Sequence, residues 1–236
     1  MKAIAAIFAG FLFCSSAALS HGGNHNSVLI DRKSRTMSVI DQSGKTIISC
    51  PVGIGRGPLA GKVSMQDCIT PVGEFVVDVV LSNQPEFNHI DKNLKAQLEK
   101  NSHFAPFVKD GSGLAKVFFT MNAQDFNRDG KPDSAYGTAF FGLHGKNTGP
   151  KLIASGNSAR WYSIALHGSP DETRAIGNAT SEGCIHISKA VLQRILSDRL
   201  IEVGTPVYID DGVKRPFDVK IKSSGPDNRE LVRVRN

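Results

Sequence analysis

The chain has 236 residues, of which 40% are hydrophobic, 21% are charged and only 11 are proline. It is long enough to bury a core without disulfide staples, and its composition excludes a disordered or fibrous polymer. Lys and Arg number 28 against 22 Asp and Glu, a net charge of +6. That excess favours anionic surroundings such as nucleic acid, lipid or cell wall, without choosing among them.

The N-terminus narrows the choice. Lys2 precedes an unbroken apolar and small run from Ala3 to Phe13, closed by Ser15, Ser16, Ala17, Ala18 and Ser20. This is the pattern of a secretory signal peptide over residues 1–20, too short to span a bilayer. The bulky Phe11-Leu12-Phe13 before Cys14 argues against lipid attachment there. Cleavage after Ser20 leaves a polar leader, 21–26. No later segment approaches transmembrane length, so the expected location is secreted, periplasmic or cell-wall associated.

Period-two patterns follow. Val28 and Ile30, then Met37, Val39 and Ile40, then Ile47 and Ile48 predict a β-meander with turns at 32–35 and 42–45. Residues 50–62 carry Gly53, Gly55, Gly57 and Gly61 and read as loop. Gly55-x-Gly57-x-x-Ala60 matches a dinucleotide fingerprint on paper, but Pro58 and the lack of a following amphipathic helix deny it the phosphate-binding helix terminus. A β-branched strand spans 76–81. Residues 83–136 read as an insertion or lid, with one short helix around Leu94 to Lys100 and a strand at Val117 to Thr120. Strands resume at 138–143 and 161–166. Val191, Leu192, Ile195, Leu196 and Leu200 form a helical stripe with Ser188 as N-cap. A strand at 207–209 closes the domain, 27–210, and a basic, weakly ordered tail occupies 211–236.

Without Cys14, three cysteines remain, an odd number for an oxidising compartment. Cys50 and Cys68 bracket the Gly-rich loop, and a bridge between them is the economical pairing, worth about 3 kcal/mol through loop closure. Cys184 is then left over, either a reactive thiol or an inert buried one. Its context favours reactivity. His167 and Gly168 end an apolar strand, and fifteen residues later comes Glu182-Gly183-Cys184-Ile185-His186, just ahead of the predicted helix. A thiol nucleophile needs a base and backbone N–H donors for the oxyanion. His167 is the candidate base, the Gly168 carbonyl its orienting acceptor, and the backbone of Gly183 and Cys184 the oxyanion region. His144 sits in a second Leu-His-Gly with no Gly-Cys block after it and reads as structural.

His167-Gly168 followed by Ser181-Glu182-Gly183-Cys184-Ile185 resembles the signature of the L,D-transpeptidase (YkuD-like) family. Thr70-Pro71-Val72-Gly73-Glu74-Phe75 and Gly204-Thr205-Pro206-Val207-Tyr208-Ile209 are similar to two further marks of it. The resemblance implies a mainly β, sandwich-like fold of mixed sheets with a few short helices. It also implies a cysteine acyltransferase that attacks peptidoglycan stem peptides through a Cys184 thioester. His167 is then the base, Gly168 its orienting carbonyl and Gly183 part of the oxyanion region, with Ser181 bracing the loop and Ser169, Ser181 and His186 on the substrate side. His186 departs from the Arg or Asn usual there. The acceptor is a second stem or a wall-attached lipoprotein. The same site used with water gives an L,D-carboxypeptidase or endopeptidase, and an inert Cys184 gives a wall-binding module.

No cofactor is expected. Asp125, Asn127, Asp129 and Asp133 are similar to the first part of a calcium loop, but Tyr136 stands where the bidentate Glu belongs, leaving an Asx-rich turn or a weak calcium site. The basic tail lacks interleaved aromatics, so an anionic wall is expected as its partner and nucleic acid is not.

Overall fold

A computed structural model describes residues 26–62, 64, 66–102, 104–109, 112–145 and 164–211, and the backbone of 217–224 and 228–235. The signal peptide and Trp161 lie outside the described residues. Asn26, assigned by sequence to the polar leader, is buried, and its Nδ2 donates to the Leu200 carbonyl at 3.1 Å.

The meander forms as its pattern predicts. β1 (Ser27–Asp31), β2 (Thr36–Ile40) and β3 (Thr46–Pro51) pair antiparallel, with Val28 opposite Val39 and Met37 opposite Cys50. Asp31 and Asp41 set the two turns. Each carboxylate accepts backbone N–H bonds from the following residues, Lys33 and Ser34 in the first and Ser43 and Lys45 in the second. β4 (Ile54–Gly55) continues from β3, and β5 (Gly73–Ser82) is the long central strand.

The remaining strands are β6 (His89–Ile90), β7 (Ala139–Gly145), β8 (Ala165–His167), β9 (Ala179–Ser181), β10 (Ile185–His186) and β11 (Pro206–Asp210). Eight strands run in the order β10-β8-β7-β5-β11-β1-β2-β3, and β6 joins β5 to make nine. The ends of this mixed sheet meet. Gly53, just past β3, exchanges both backbone hydrogen bonds with His186 of β10, at 2.9 and 3.0 Å, and β4 pairs with β9. The sheet is therefore curled, and its Ile30, Val39, Phe75, Phe141, Leu166 and Ile185 bury in one core with Leu192 of the helix that follows β10.

The short helices are α1 (Lys92–Leu98), α2 (Ala105–Val108), α3 (Ser112–Asn122), α4 (Glu172–Ala175) and α5 (Lys189–Ser197). The strand expected at Val117 to Thr120 is instead the middle of α3. Leu114, Val117, Phe118 and Met121 recur at helical spacing, and Leu114 and Phe118 bury with Leu81, Val108, Phe140 and Ala165 in a second apolar cluster. Packing against the sheet outweighs the β-branched composition. Ser188 caps α5 by its backbone only. The side-chain acceptor is Glu172 of α4, whose carboxylate takes the Lys189 N–H. The basic segment, expected to carry little order, forms a hairpin of β12 (Phe217–Ser224) and β13 (Asn228–Arg235).

The expected Cys50–Cys68 bridge is absent, and both thiols are free. Cys50 faces the core from β3, where burial pushes its thiol up to about 11. Cys68 lies in the following loop, with its carbonyl accepting from Gly57 N–H at 2.9 Å and its Sγ turned to the Gln66 carbonyl. Closeness in sequence did not bring the two sulfurs together, because the loop folds back on Gly55 and Gly57 rather than on β3.

Candidate active site

His167 ends β8 and His186 ends β10, paired in parallel register. Cys184 precedes β10 and is thus delivered beside β8. His167 is buried, and its Nδ1 lies 2.6 Å from the Gly168 carbonyl, the partner anticipated from sequence. With Nδ1–H donating to that oxygen, Nε2 carries the lone pair. Gly168 reaches this position because its backbone lies against Gly137, where a side chain on either would collide with the other's Cα, and its N–H donates to the Tyr136 carbonyl at 3.0 Å. Around the ring stand Tyr136, His186 and Phe140, with centroids 5.0, 4.9 and 6.2 Å away and Phe140 nearly parallel.

The loop carrying Cys184 is fixed by hydrogen bonds at three points. Ser181 Oγ donates to the Cys184 carbonyl at 2.6 Å and accepts the Gly183 N–H at 3.0 Å, while Thr70 Oγ1 donates to the Gly183 carbonyl at 2.8 Å. Gly183 holds φ +132°, a conformation that disfavours any side chain. Ser181 thus braces the loop, its hydroxyl engaged on both sides by backbone.

Cys184 and His167 line one cleft of about 770 Å³ together with Met121, Phe126, Tyr136, Phe140, Glu182 and other residues. Ser169, Ser181 and His186 line it too. Ser169 Oγ also lies 3.3 Å from both the N–H and the carbonyl of Asp171. His144 sits opposite Val76 in the sheet and does not line the cleft. One wall comes from the 83–136 segment, whose Met121 and Tyr136 pack with Cys184 on the second apolar cluster. Tyr136, Phe140 and Thr70 were not singled out from sequence as site residues. An aromatic wall leaves no spacing signal, and the sequence marks Tyr136 only as standing where the bidentate Glu of a calcium loop belongs.

Burial governs the protonation of the pair. It pushes the Cys184 thiol up to about 11, with Glu182 adding to the rise, while a backbone hydrogen bond from Ala165 and the Lys62 charge oppose it. It also pushes His167 down to about 3, helped by His186 and opposed by the Gly168 hydrogen bond. At neutral pH the resting pair is thiol and neutral imidazole, not a preformed thiolate.

The calcium-like loop spends its oxygens on its own N–H groups, with the Asn127 side-chain amide also donating to Asp133 at 2.7 Å. Asp125 accepts from the N–H groups of Asp129 and Gly130, Asp129 from Lys131, and Asp133 from Phe126 and Asn127, while Asn127 Oδ1 accepts from Asp129. Among the described residues no group of three or more His, Cys, Asp or Glu is placed to hold a metal ion. Nor, among them, is any helix long and apolar enough to cross a membrane.

Residues 25–209 match the YkuD family, the L,D-transpeptidase catalytic domain. The chain belongs to this family. Members act on peptidoglycan peptides. Comparison with curated proteins gives no match. Among solved structures, the chain is similar to Bdellovibrio bacteriovorus Bd1075 at 20% identity and TM-score 0.42, covering 80% of this chain and 48% of that one. It is similar to the Xylanimonas cellulosilytica L,D-transpeptidase at 14% and 0.38, covering 79% and 60%. It is also similar to the Campylobacter jejuni helical cell shape determining protein Pgp2 at 16% and 0.46, covering 81% and 49%. The chain thus spans from about half to three-fifths of the length of these structures.

Proposed function

We propose that the protein is a cysteine acyltransferase acting on peptidoglycan stem peptides outside the cytoplasm, with Cys184 as nucleophile and His167 as base. The observation that carries this reading is the shared cleft, in which an imidazole held through Nδ1 by Gly168 at 2.6 Å opens on the same space as Cys184. Because both groups rest neutral, the Sγ proton passes to His167 Nε2 as the sulfur–carbon bond forms. The tetrahedral oxyanion collects at the backbone of Gly183 and Cys184. Its collapse breaks the scissile amide, and His167 returns the proton to the departing amine. An acceptor amine from a second stem, or from a wall-attached lipoprotein, then attacks the thioester and releases the thiol. His186 and Ser169, on the cleft wall, are placed to meet substrate. A second hollow of about 400 Å³ shares Ser169 and Pro170 with the cleft, room that suits an enzyme handling two substrates.

The test is digestion of purified muropeptides, read by chromatography. Accumulation of cross-linked dimers, absent with Cys184→Ala, is the expected result. Trimmed monomers alone would reassign the reaction to hydrolysis, and an unchanged profile would remove the catalytic reading.

A further inference from the structure

We infer that Thr70 is a positioning residue for the oxyanion-binding peptide, an assignment that rests on the acyl-transfer reading above. Thr70 is buried, 2% exposed, at the end of the loop that precedes β5. Its hydroxyl does two things at once. It accepts the Gly55 N–H at 2.8 Å and donates its own proton to the Gly183 carbonyl at 2.8 Å. Because the accepted bond comes from β4, the hydroxyl proton is directed at Gly183. The peptide between Gly183 and Cys184 is planar and trans, so pinning its carbonyl toward Thr70 turns the Cys184 N–H to the opposite edge. Ser181 fixes the flanking groups, Gly183 N–H and the Cys184 carbonyl, but touches neither atom of this peptide's own C=O and N–H pair. Thr70 therefore holds that plane by its carbonyl edge.

Thr70 is itself anchored. The buried Arg32 donates to the Thr70 carbonyl at 2.6 Å and to the Ala60 carbonyl at 3.0 Å. The buried Lys62–Asp67 pair, 2.7 Å apart, closes the loop just before it, with Asp67 also accepting the Ile69 N–H at 2.9 Å. The Ile69 carbonyl in turn stands 3.1 Å from where a Gly183 side chain would begin, so the loop and the nucleophile segment are in contact at two successive residues. The geometry is that of a preorganised donor, set before substrate arrives.

The experiment compares two reactions of Cys184 in wild type, Thr70→Val and Thr70→Ser. One is acylation by a carbapenem, which builds an oxyanion. The other is alkylation by iodoacetamide, which does not. Removing one oxyanion donor from an acyl-transfer site costs on the order of 10²–10³ in rate, and misaiming one costs a share of that. Thr70→Val is expected to slow acylation at least about tenfold with alkylation changed by less than a factor of about two, and Thr70→Ser is expected to restore acylation. Equal slowing of both reactions, or wild-type acylation in Thr70→Val, would overturn the assignment. Should Thr70→Val fold poorly, Thr70→Ser together with Thr70→Ala decides the matter on the same ratio of rates. A wild-type protein that alkylates at Cys184 but never acylates would overturn the acyl-transfer reading, and this assignment with it. A wild type that acylates while the valine variant keeps pace overturns this assignment alone.

Discussion

Cys50 and Cys184 make an instructive pair. Burial pushes both thiols up to about 11, yet one faces a sealed core and the other a cleft. Around Cys50 stand aliphatic neighbours of the curled sheet. Around Cys184 stand an oriented imidazole, a glycine at positive φ, a serine brace and a buried lysine whose charge favours the thiolate. A shifted pKa therefore says little about reactivity by itself. What separates a structural cysteine from a candidate nucleophile is the set of groups able to take its proton and receive the oxyanion.

Breaking the Cys184 side of this comparison gives the largest expected effect. Cys184→Ser is expected to lower turnover of stem peptides by at least about 10³, because a neutral imidazole activates a hydroxyl far less readily than a thiol. His167→Gln follows, with a loss of about 10²–10⁴ in the acylation rate as general-base catalysis disappears. Single-turnover kinetics with mass detection check both. Next comes accessibility: iodoacetamide is expected to label Cys184 in the folded protein and Cys50 only after denaturation, which peptide mapping reads directly.

The pH dependence of stability sharpens the contrast further. His167 is held near 3 against an ordinary 6.5, so the unfolded chain binds a proton that the folded one refuses. Stability is expected to fall as pH drops from 6.5 toward 3, and His167→Gln should flatten that slope. Both buried thiols are held near 11 against an ordinary 9.0, so the unfolded chain loses protons first and stability should also fall from pH 9 toward 11. Cys50→Ala and Cys184→Ala are each expected to remove part of that second slope in melting curves. The smallest effect is a null one: with no Cys50–Cys68 bridge, reducing agent should leave the melting temperature of the wild type unchanged, and so should Cys68→Ala.

Legibility in the sequence followed the range of the interactions. His167, Gly168, Gly183 and Cys184 could be picked out because thiol chemistry needs those residue types in a local order, and the strands of the meander because burial on one face imposes a period of two. Thr70 was visible only as part of a motif, since its partners Gly55 and Gly183 lie 15 and 113 residues away. α3 was misread over Val117 to Thr120 because four residues of β-like composition hid a helical spacing that only the second cluster makes meaningful. The supposed disulfide failed for a related reason, as a glycine-rich loop can fold back on its own backbone instead of bridging its ends. The basic C-terminal segment carries a hairpin pattern that its charge masks: Phe217, Val219 and Ile221 alternate with Asp218, Lys220 and Lys222, and Val232 and Val234 with Arg233 and Arg235, so a run of cations that suggests a tail is a period-two strand pattern.

The most direct test is the intact mass of the protein after mixing with a carbapenem and quenching in acid, followed by peptide mapping. A single adduct on Cys184, formed slowly in His167→Gln and not at all in Cys184→Ala, is the predicted result. An unmodified mass, or an adduct on Cys50 or Cys68 while Cys184 stays free, would contradict the account.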